Sequence, residues 1–238
     1  MIKRYISAFL TLIIFIMLMP CANAADYLLN IDFDGSYSPF LCRTGSVTMT
    51  DDSGLSAGLF SESAELRYTP QKGNTDWDAS YSMNVSIKMD DWQKSSTEML
   101  IFRTHSSADD MTYIISYSAN GFSLAKMHKP MKYVSLLGAS GAVDAEPSEY
   151  HDIRIDTVNN DDGSVLIKVY FDGGKVLEYT DKTNVSLGGG VMVRNNMTDS
   201  TILVDSIRVT AAGSNVKEAD DAAAYDTLGT DYENASDI

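Results

Sequence analysis

The sequence predicts an all-β protein folded as a two-sheet antiparallel sandwich, and three features support this prediction. Short strand patterns recur from residue 28 to residue 210, with turns rich in Asn, Asp and Gly between them. Within this region no stretch has the 3.6-residue periodicity of an amphipathic helix. The first hydrophobic run (28–35) and the last (201–209) each combine alternating apolar residues with an acidic one, so we expect them to pair and close the sandwich.

The strands follow one another at the spacing that is typical of all-β proteins. Alternation is clearest where Ile153 and Ile155 lie on one face and Arg154 and Asp156 on the other, as in a half-buried antiparallel strand. Turns at 119–121, 159–163 and 172–174 contain the Asn, Asp and Gly residues that tight hairpins need. The expected strands are 46–50, 64–68, 81–89, 98–104, 112–118, 122–128, 133–137, 150–158, 164–171, 175–179, 190–195 and 201–210.

The first 24 residues have the pattern of a secretory signal peptide. Lys3 and Arg4 precede an apolar run that is short for a membrane span, and the run ends at the small-x-small sequence of residues 22–24. A lipoprotein signal is the alternative, because Cys21 lies near the cleavage zone, but Pro20 is a poor fit before such a cysteine. We therefore expect a secreted or cell-surface protein.

Removal of this leader leaves 16 basic against 33 acidic residues, a formal net charge of −17. Nucleic acids and anionic membranes bind clustered Lys and Arg, so the charge argues against both as partners. It is compatible with a neutral ligand such as a sugar, or with divalent cations. The mature chain keeps one cysteine, Cys42, which cannot form an internal disulfide and reads as a small buried hydrophobe.

One domain, residues 25–212, is expected to hold the whole core. From residue 213 to residue 238 the chain has seven acidic residues against Lys217 and few large apolar ones, so we predict a disordered acidic tail. The alternative is an amphipathic segment at 219–228 that docks on a partner.

An ordered series of segments resembles the concanavalin A-like lectin and glucanase superfamily, which includes laminin G-like domains. The matching segments are 33–35, 77–81 with the strand after it, 100–103, 150–155, 169–173, 188–194 and 204–209. The resemblance covers nearly all of residues 26–210 and implies a jelly-roll sandwich. It does not imply one activity, because this fold hosts lectins, hydrolases and interaction modules.

The resemblance also implies a structural Ca²⁺ where the N-terminal segment meets the last strand. Asp34 and Asp205 fall at the matching positions, and the loop at Gly73 could add carbonyl oxygens, which are ligands that Ca²⁺ accepts. The alternative is that Asp34 only shapes a turn and Asp205 only accepts backbone hydrogen bonds.

A sugar-binding face needs aromatic planes and fixed polar groups. On strands that resemble the concave sheet of this fold, the candidates are Arg103, Tyr113, Tyr117 and Arg194, with Trp77 and Trp92 at an edge. Tyr113 and Tyr117 share a face by the period-2 rule. The alternative is core packing, which is the more common role of Tyr and Trp in sandwich strands.

Catalytic signatures are absent from the sequence. The laminarinase-like hydrolases of this fold use a Glu-x-Asp-x-Glu strand, and residues 95–103 contain a single acid, Glu98. Asp90 and Asp91 are adjacent and would point to opposite faces, and the three histidines lack zinc-ligand spacing. We predict a non-catalytic module that recognises an extracellular glycan. The alternatives are a glycoside hydrolase with an unfamiliar carboxylate pair and an adhesion module with a protein partner.

Overall fold

The predicted strands pair into two antiparallel sheets in the computed structural model. It describes residues 27–70, 74, 77, 79–89, 97–104, 112–118, 120–128, 133–146, 148–183, 185–196 and 201–211, and the structural statements below concern these residues. The predicted signal peptide and acidic tail lie outside them. Among the described residues no helix has the length and apolar character needed to cross a membrane.

Fifteen strands are present in the described residues. In chain order they are β1 (Tyr27–Ile31), β2 (Leu41–Thr44), β3 (Val47–Asp52), β4 (Leu55–Phe60), β5 (Glu65–Tyr68), β6 (Tyr81–Met89), β7 (Thr97–Thr104), β8 (Thr112–Ser118), β9 (Gly121–His128), β10 (Tyr133–Ala139), β11 (Tyr150–Asn159), β12 (Val165–Phe171), β13 (Gly174–Asp181), β14 (Gly190–Arg194) and β15 (Ile202–Ala211).

The two sheets contain eight and seven strands. The eight-stranded sheet has the order β13-β12-β11-β6-β15-β4-β3, and β1 also pairs with β15. The seven-stranded sheet has the order β10-β9-β8-β7-β14-β5-β2. The prediction that the first and last strands pair is confirmed, because Leu29 lies opposite Val209 and Ile31 opposite Ile207. The all-β antiparallel sandwich is likewise confirmed.

Two of the strands, β2 and β4, were not predicted from the sequence. β2 is an edge strand with little buried surface, so it lacks the alternation that marks a half-buried strand. In β4 a glycine interrupts the apolar pattern at Gly58, where a Cβ atom would lie 2.6 Å from the ring of Phe33. Gly58 therefore makes room for a core aromatic ring. The lack of a side chain at this position also interrupts the apolar alternation from which a strand is predicted.

The core lies between the sheets and is built from alternate residues of their strands. In β6 every odd-numbered residue from Tyr81 to Met89 is buried, and every even-numbered one is partly exposed. In β11 Ile153 and Ile155 point inward, as the alternation predicted. The even-numbered residues of β6 and β11 consequently share the outer face of the eight-stranded sheet.

Candidate functional site

The residues predicted to form a sugar-binding sheet do lie on one sheet, but most of them point into the core. Tyr113 and Tyr117 share a face of β8, as predicted, and that face is the inner one. Tyr113 stacks on Phe102 with ring centroids 5.4 Å apart, and Tyr117 packs on Phe122 at 5.1 Å. Both tyrosines are buried, so they are core residues and do not form a platform for a ligand.

Of the two tryptophans predicted to line the edge of a binding face, the structure describes Trp77. Trp77 is 2% exposed and packs between Tyr68 and Tyr81, with centroid distances of 5.0 and 5.6 Å. Its indole is part of the core, so it does not line the edge of a binding face. Trp92 lies outside the described residues, and its predicted role stays a prediction.

The outer face of the seven-stranded sheet is apolar at its centre. Four side chains lie side by side across neighbouring strands, and we call them the apolar row: Met192, Ile101, Ile114 and Ala125. All four are buried, and Ile114 is 1% exposed although it points away from the core between the sheets. Within the described part of this sheet, the apolar row therefore presents neither open aromatic rings nor polar groups to a ligand. Two predicted residues remain. Arg103, in β7, is completely buried, and Arg194 is half-buried at the end of β14, opposite Glu65.

The outer face of the eight-stranded sheet is polar, in contrast. Four outward-pointing residues lie side by side across β12, β11, β6 and β15, and we call them the polar row: Tyr170, Arg154, Asn84 and Arg208. Neighbouring strands lie about 4.8 Å apart, so the row extends over roughly 14 Å. The row thus places an aromatic, two cationic and an amide side chain on adjacent strands of one sheet.

Arg154 is held in place on both sides. Its guanidinium carbon lies 3.9 Å from the centroid of the Tyr170 ring, a cation–π contact, and its Nε lies 3.3 Å from Oδ1 of Asp156. Asp156 in turn accepts a hydrogen bond of 2.6 Å from the hydroxyl of Ser82. Because Tyr170 is buried beneath this contact, the exposed surface here belongs to the planar guanidinium, a fixed group of hydrogen-bond donors.

Asn84 lies between the two arginines of the row. Its Oδ1 is buried and has no hydrogen-bond partner among the described residues. This oxygen is therefore not presented at the outer face, although the Asn84 side chain as a whole is partly exposed. Arg208 beside it is also partly exposed and can donate hydrogen bonds to the hydroxyls of a ligand.

A group of carboxylates borders the polar row at one end. The pKa of the Asp152 carboxyl is raised above its ordinary value, first by desolvation among the surrounding groups, then by the charges of Asp172 and Asp205, while Arg208 opposes the shift. Asp172 is itself engaged, since its Oδ2 lies 2.7 Å from Nδ1 of His151 and its Oδ1 accepts the Asp152 backbone N–H at 2.9 Å. The charged form of Asp152 is consequently disfavoured in the folded protein.

Asp152→Asn is expected to raise the urea midpoint of unfolding at pH 7. A folded-state pKa that is raised above the unfolded one lowers stability as the pH rises through it, and the uncharged amide escapes this penalty. Below the unfolded pKa of about 3.9 the carboxyl is protonated in both states, so the advantage should vanish at pH 3. Unfolding at both pH values measures the effect; an equal difference at pH 7 and pH 3 would contradict the electrostatic cause.

The predicted calcium ligands lie just after β1, in β15, which pairs with β1, and on a loop outside the described residues. Asp34 is exposed after β1, Asp205 lies half-buried in β15 near Asp152, and Gly73 lies outside the described residues. No group of three or more His, Cys, Asp or Glu side chains in the described part of the chain could hold a metal ion. The calcium site stays a prediction.

The polar row was not predicted from the sequence, although one signal pointed to it. Alternation already put Arg154 and Asp156 on an outer face, and it put Tyr170 on the outward side of β12. What joins these residues to Asn84 and Arg208 is the register of four strands that are distant in the chain. Such a register is not readable from a single sequence.

The comparisons with known proteins place the fold. No protein-family model matches this chain, and no curated protein matches it in sequence. A protein of unknown function with a galectin-like fold from Bacillus subtilis superimposes with a TM-score of 0.54 at 10% identity, over 78% of this chain and 96% of the other. An endo-β-1,4-glucuronan lyase from the fungus Trichoderma reesei gives 0.54 at 16% identity, over 78% and 95%.

A third similar structure is botulinum neurotoxin type C, whose cell entry depends on interaction with two ganglioside molecules. It gives a TM-score of 0.53 at 13% identity, over 78% of this chain and 47% of the neurotoxin chain. At these identities the three similarities establish the fold alone. The chain has a galectin-like jelly-roll fold, in agreement with the predicted fold class.

Proposed function

We propose that this chain is an exported, non-catalytic carbohydrate-binding module that holds an extracellular glycan on the outer face of its eight-stranded sheet. The observation that carries the proposal is the polar row of Tyr170, Arg154, Asn84 and Arg208, which lies across four neighbouring strands. The jelly-roll fold is compatible with it but hosts other functions too, so the proposal rests on the site. The site differs from the predicted one, which used the seven-stranded sheet.

The chemistry of the row suits sugar hydroxyls. Arg154 is oriented by Tyr170 and Asp156 before any ligand arrives, so little side-chain entropy is lost on binding. On the two strands that follow, Asn84 is a partly exposed amide and Arg208 offers a donor. A linear glycan lying across the strands could therefore meet one polar group at each strand.

A structural Ca²⁺ held by Asp34, Asp205 and the carbonyl of Gly73 is part of this proposal. It would join the N-terminal segment to the last strand and stabilise the sandwich without taking part in recognition. The function is tested on a glycan array, to which the mature chain, residues 25–238, is applied once with Ca²⁺ and once with a chelator. Binding to one glycan class supports recognition, and a blank array from folded protein overturns it.

Arg154→Ala is expected to weaken binding of the glycan found on the array by about tenfold or more, the effect of losing one charge-assisted hydrogen bond or two ordinary ones. Titration calorimetry with the isolated oligosaccharide measures it. The matched control is Arg194→Ala, an arginine at the other sheet, which should bind as the wild type does. If Arg194→Ala loses binding and Arg154→Ala keeps it, the glycan binds on the seven-stranded sheet and this site is rejected.

One observation favours a second function, glycoside hydrolysis. Asp152 in β11 and Asp172 directly after β12 lie close together, since Oδ1 of Asp172 accepts the Asp152 backbone N–H at 2.9 Å, and the pKa of Asp152 is raised by desolvation and by the charge of Asp172. A carboxyl with a raised pKa beside a second one is the kind of pair that glycoside hydrolysis uses. Release of reducing ends from the bound glycan, abolished by Asp152→Asn, would assign the chain to this class. Binding without product, over long incubation, supports the module.

A further inference from the structure

Arg103 lies in the interior between the sheets because β7 contains a β-bulge at this position. On β7 the residues Leu100 and Phe102 point inward and Ile101 outward, so regular alternation would send Arg103 to the outer face. The register against β14 shifts here, and Arg103 is the extra residue of the bulge. The side chain is turned inward and is completely buried.

The backbone at Arg103 is in the left-handed region, with a φ of 55°. This is the conformation of the first residue of a bulge type that strongly favours glycine. A large side chain in that region is strained, and such strain persists where the surroundings determine it, often at functional sites. Tyr81 fixes the strand from one side, since its hydroxyl accepts the Arg103 backbone N–H at 2.9 Å. The hydroxyl of Ser186 donates to the Arg103 carbonyl at 3.1 Å.

Among the described residues, only Nη1 of the buried guanidinium has hydrogen-bond partners. Nη1 donates to Oδ1 of Asn159 and to the carbonyl of Ser186, both at 2.6 Å. Nε and Nη2 are buried and have no hydrogen-bond partner there. These two nitrogens form the side edge of the guanidinium, where two N–H groups point in parallel. That edge is the one that binds the two oxygens of a carboxylate.

The charge of Arg103 has no carboxylate partner among the described residues and makes a cation–π contact with the face of the Tyr81 ring, whose centroid lies 5.8 Å from the guanidinium carbon. Its guanidinium does not deprotonate in proteins, and the nearby charge-bearing side chains are phenols, Tyr81 and Tyr113. Burial raises the pKa of Tyr81 to about 12 and raises the pKa of Tyr113 as well, so both phenols are neutral at physiological pH. The buried carboxylate nearest in the network, Asp181, is paired with Lys126.

We propose that the Nε–Nη2 edge of Arg103 is a binding site for a carboxylate group, either a small free acid or a uronic acid residue. A carboxylate supplies the missing negative charge and both missing acceptors at once. A buried charge without a counter-ion is costly, so an anion bound there stabilises the folded protein. The site is distinct from the polar row and does not depend on the proposed glycan.

The site lies next to the surface at the end of the sandwich. Ser186 bonds to the guanidinium, and its neighbour Leu187 is 47% exposed. The Leu187 carbonyl is held by a 2.8 Å hydrogen bond from Nδ2 of Asn159. A local opening of residues 185–189, which connect β13 and β14, would therefore admit a carboxylate without unfolding either sheet.

The test is urea unfolding of the mature chain in sodium formate and in sodium chloride at equal ionic strength. Specific binding to the folded state raises the midpoint in proportion to the logarithm of formate concentration once the site is saturated. Chloride should give a smaller rise, because a sphere cannot satisfy both donors as a planar carboxylate does. Glucuronate and glucose form the second pair of ligands: a rise with glucuronate alone identifies a uronic acid source, and a rise with formate alone identifies a small acid.

Arg103→Gly removes the guanidinium and relieves the strained φ, so the variant should fold and show no difference between formate and chloride. Arg103→Lys keeps the charge without the two parallel donors and should show a reduced difference. The matched control is Arg43→Met, an exposed arginine of β2, which should respond as the wild type does. The proposal is overturned if Arg103→Gly and the wild type respond alike, or if crystals grown in formate show only water at Nε and Nη2.

Discussion

Asp181→Ala is expected to destabilise the protein by about 3–5 kcal/mol, the range for breaking a buried ion pair by removing one partner. Lys126 donates to the Asp181 carboxylate, and both side chains are 2% exposed. The same carboxylate accepts a 2.8 Å hydrogen bond from the hydroxyl of Tyr113. The alanine leaves the ammonium buried without its counter-ion and a phenol without its acceptor. Urea unfolding monitored by circular dichroism gives the loss as a lower midpoint with an unchanged slope.

Two further variants separate the charge from the shape of this cluster. Asp181→Asn keeps the volume and the oxygen that accepts from the Thr183 backbone N–H at 3.1 Å, but replaces the Oδ2 acceptor of Lys126 and Tyr113 by an NH2 donor. A large loss here therefore assigns the effect to the carboxylate and not to the side-chain volume. The double change of Lys126→Met with Asp181→Leu removes both charges, and such replacements are often neutral or stabilising. If the double variant is as unstable as Asp181→Ala, the loss comes from packing and the ion-pair explanation is wrong.

The fold could be predicted from the sequence because apolar and polar residues alternate in strands that have one face exposed to solvent. β6 shows this, since every second residue from Tyr81 to Met89 is buried and its boundaries match the predicted ones. β8 shows the limit. Tyr113, Ile114 and Ile115 are all apolar, and both faces of the strand are buried, so no pattern told the inner face from the outer one. Tyr113 belongs to the core, which is the alternative that the sequence left open.

The site depends on features that lie beyond alternation. The bulge that turns Arg103 inward adds one residue to β7 without a Gly or Pro to mark it. The polar row unites four strands whose order along the chain, β6, β11, β12 and β15, gives no hint that Asn84 lies between Arg154 and Arg208. Local patterns determine which face a side chain takes, whereas pairing between distant strands determines its neighbours.

Trp77→Ala is expected to lower the free energy of unfolding by about 3–5 kcal/mol, as large-to-small changes of buried aromatics do. Trp77 is 2% exposed and lies between the rings of Tyr68 and Tyr81. Its loss leaves a cavity at the position where Tyr81 contacts the Arg103 backbone. Urea unfolding followed by circular dichroism measures the change, because this signal does not depend on the indole that is removed.

Trp92, the other tryptophan of the chain, provides the matched control for that experiment. Both indoles were predicted to line the edge of a sugar-binding face, but Trp77 is buried in the core. Trp77→Ala should therefore lose stability and, while the protein remains folded, retain its glycan affinity, since its indole does not reach the polar row. Trp92→Ala should lose affinity with little loss of stability if the sequence-based assignment holds for it. A Trp77→Ala protein as stable as the wild type but unable to bind would show that Trp77 contacts the ligand and does not support the core.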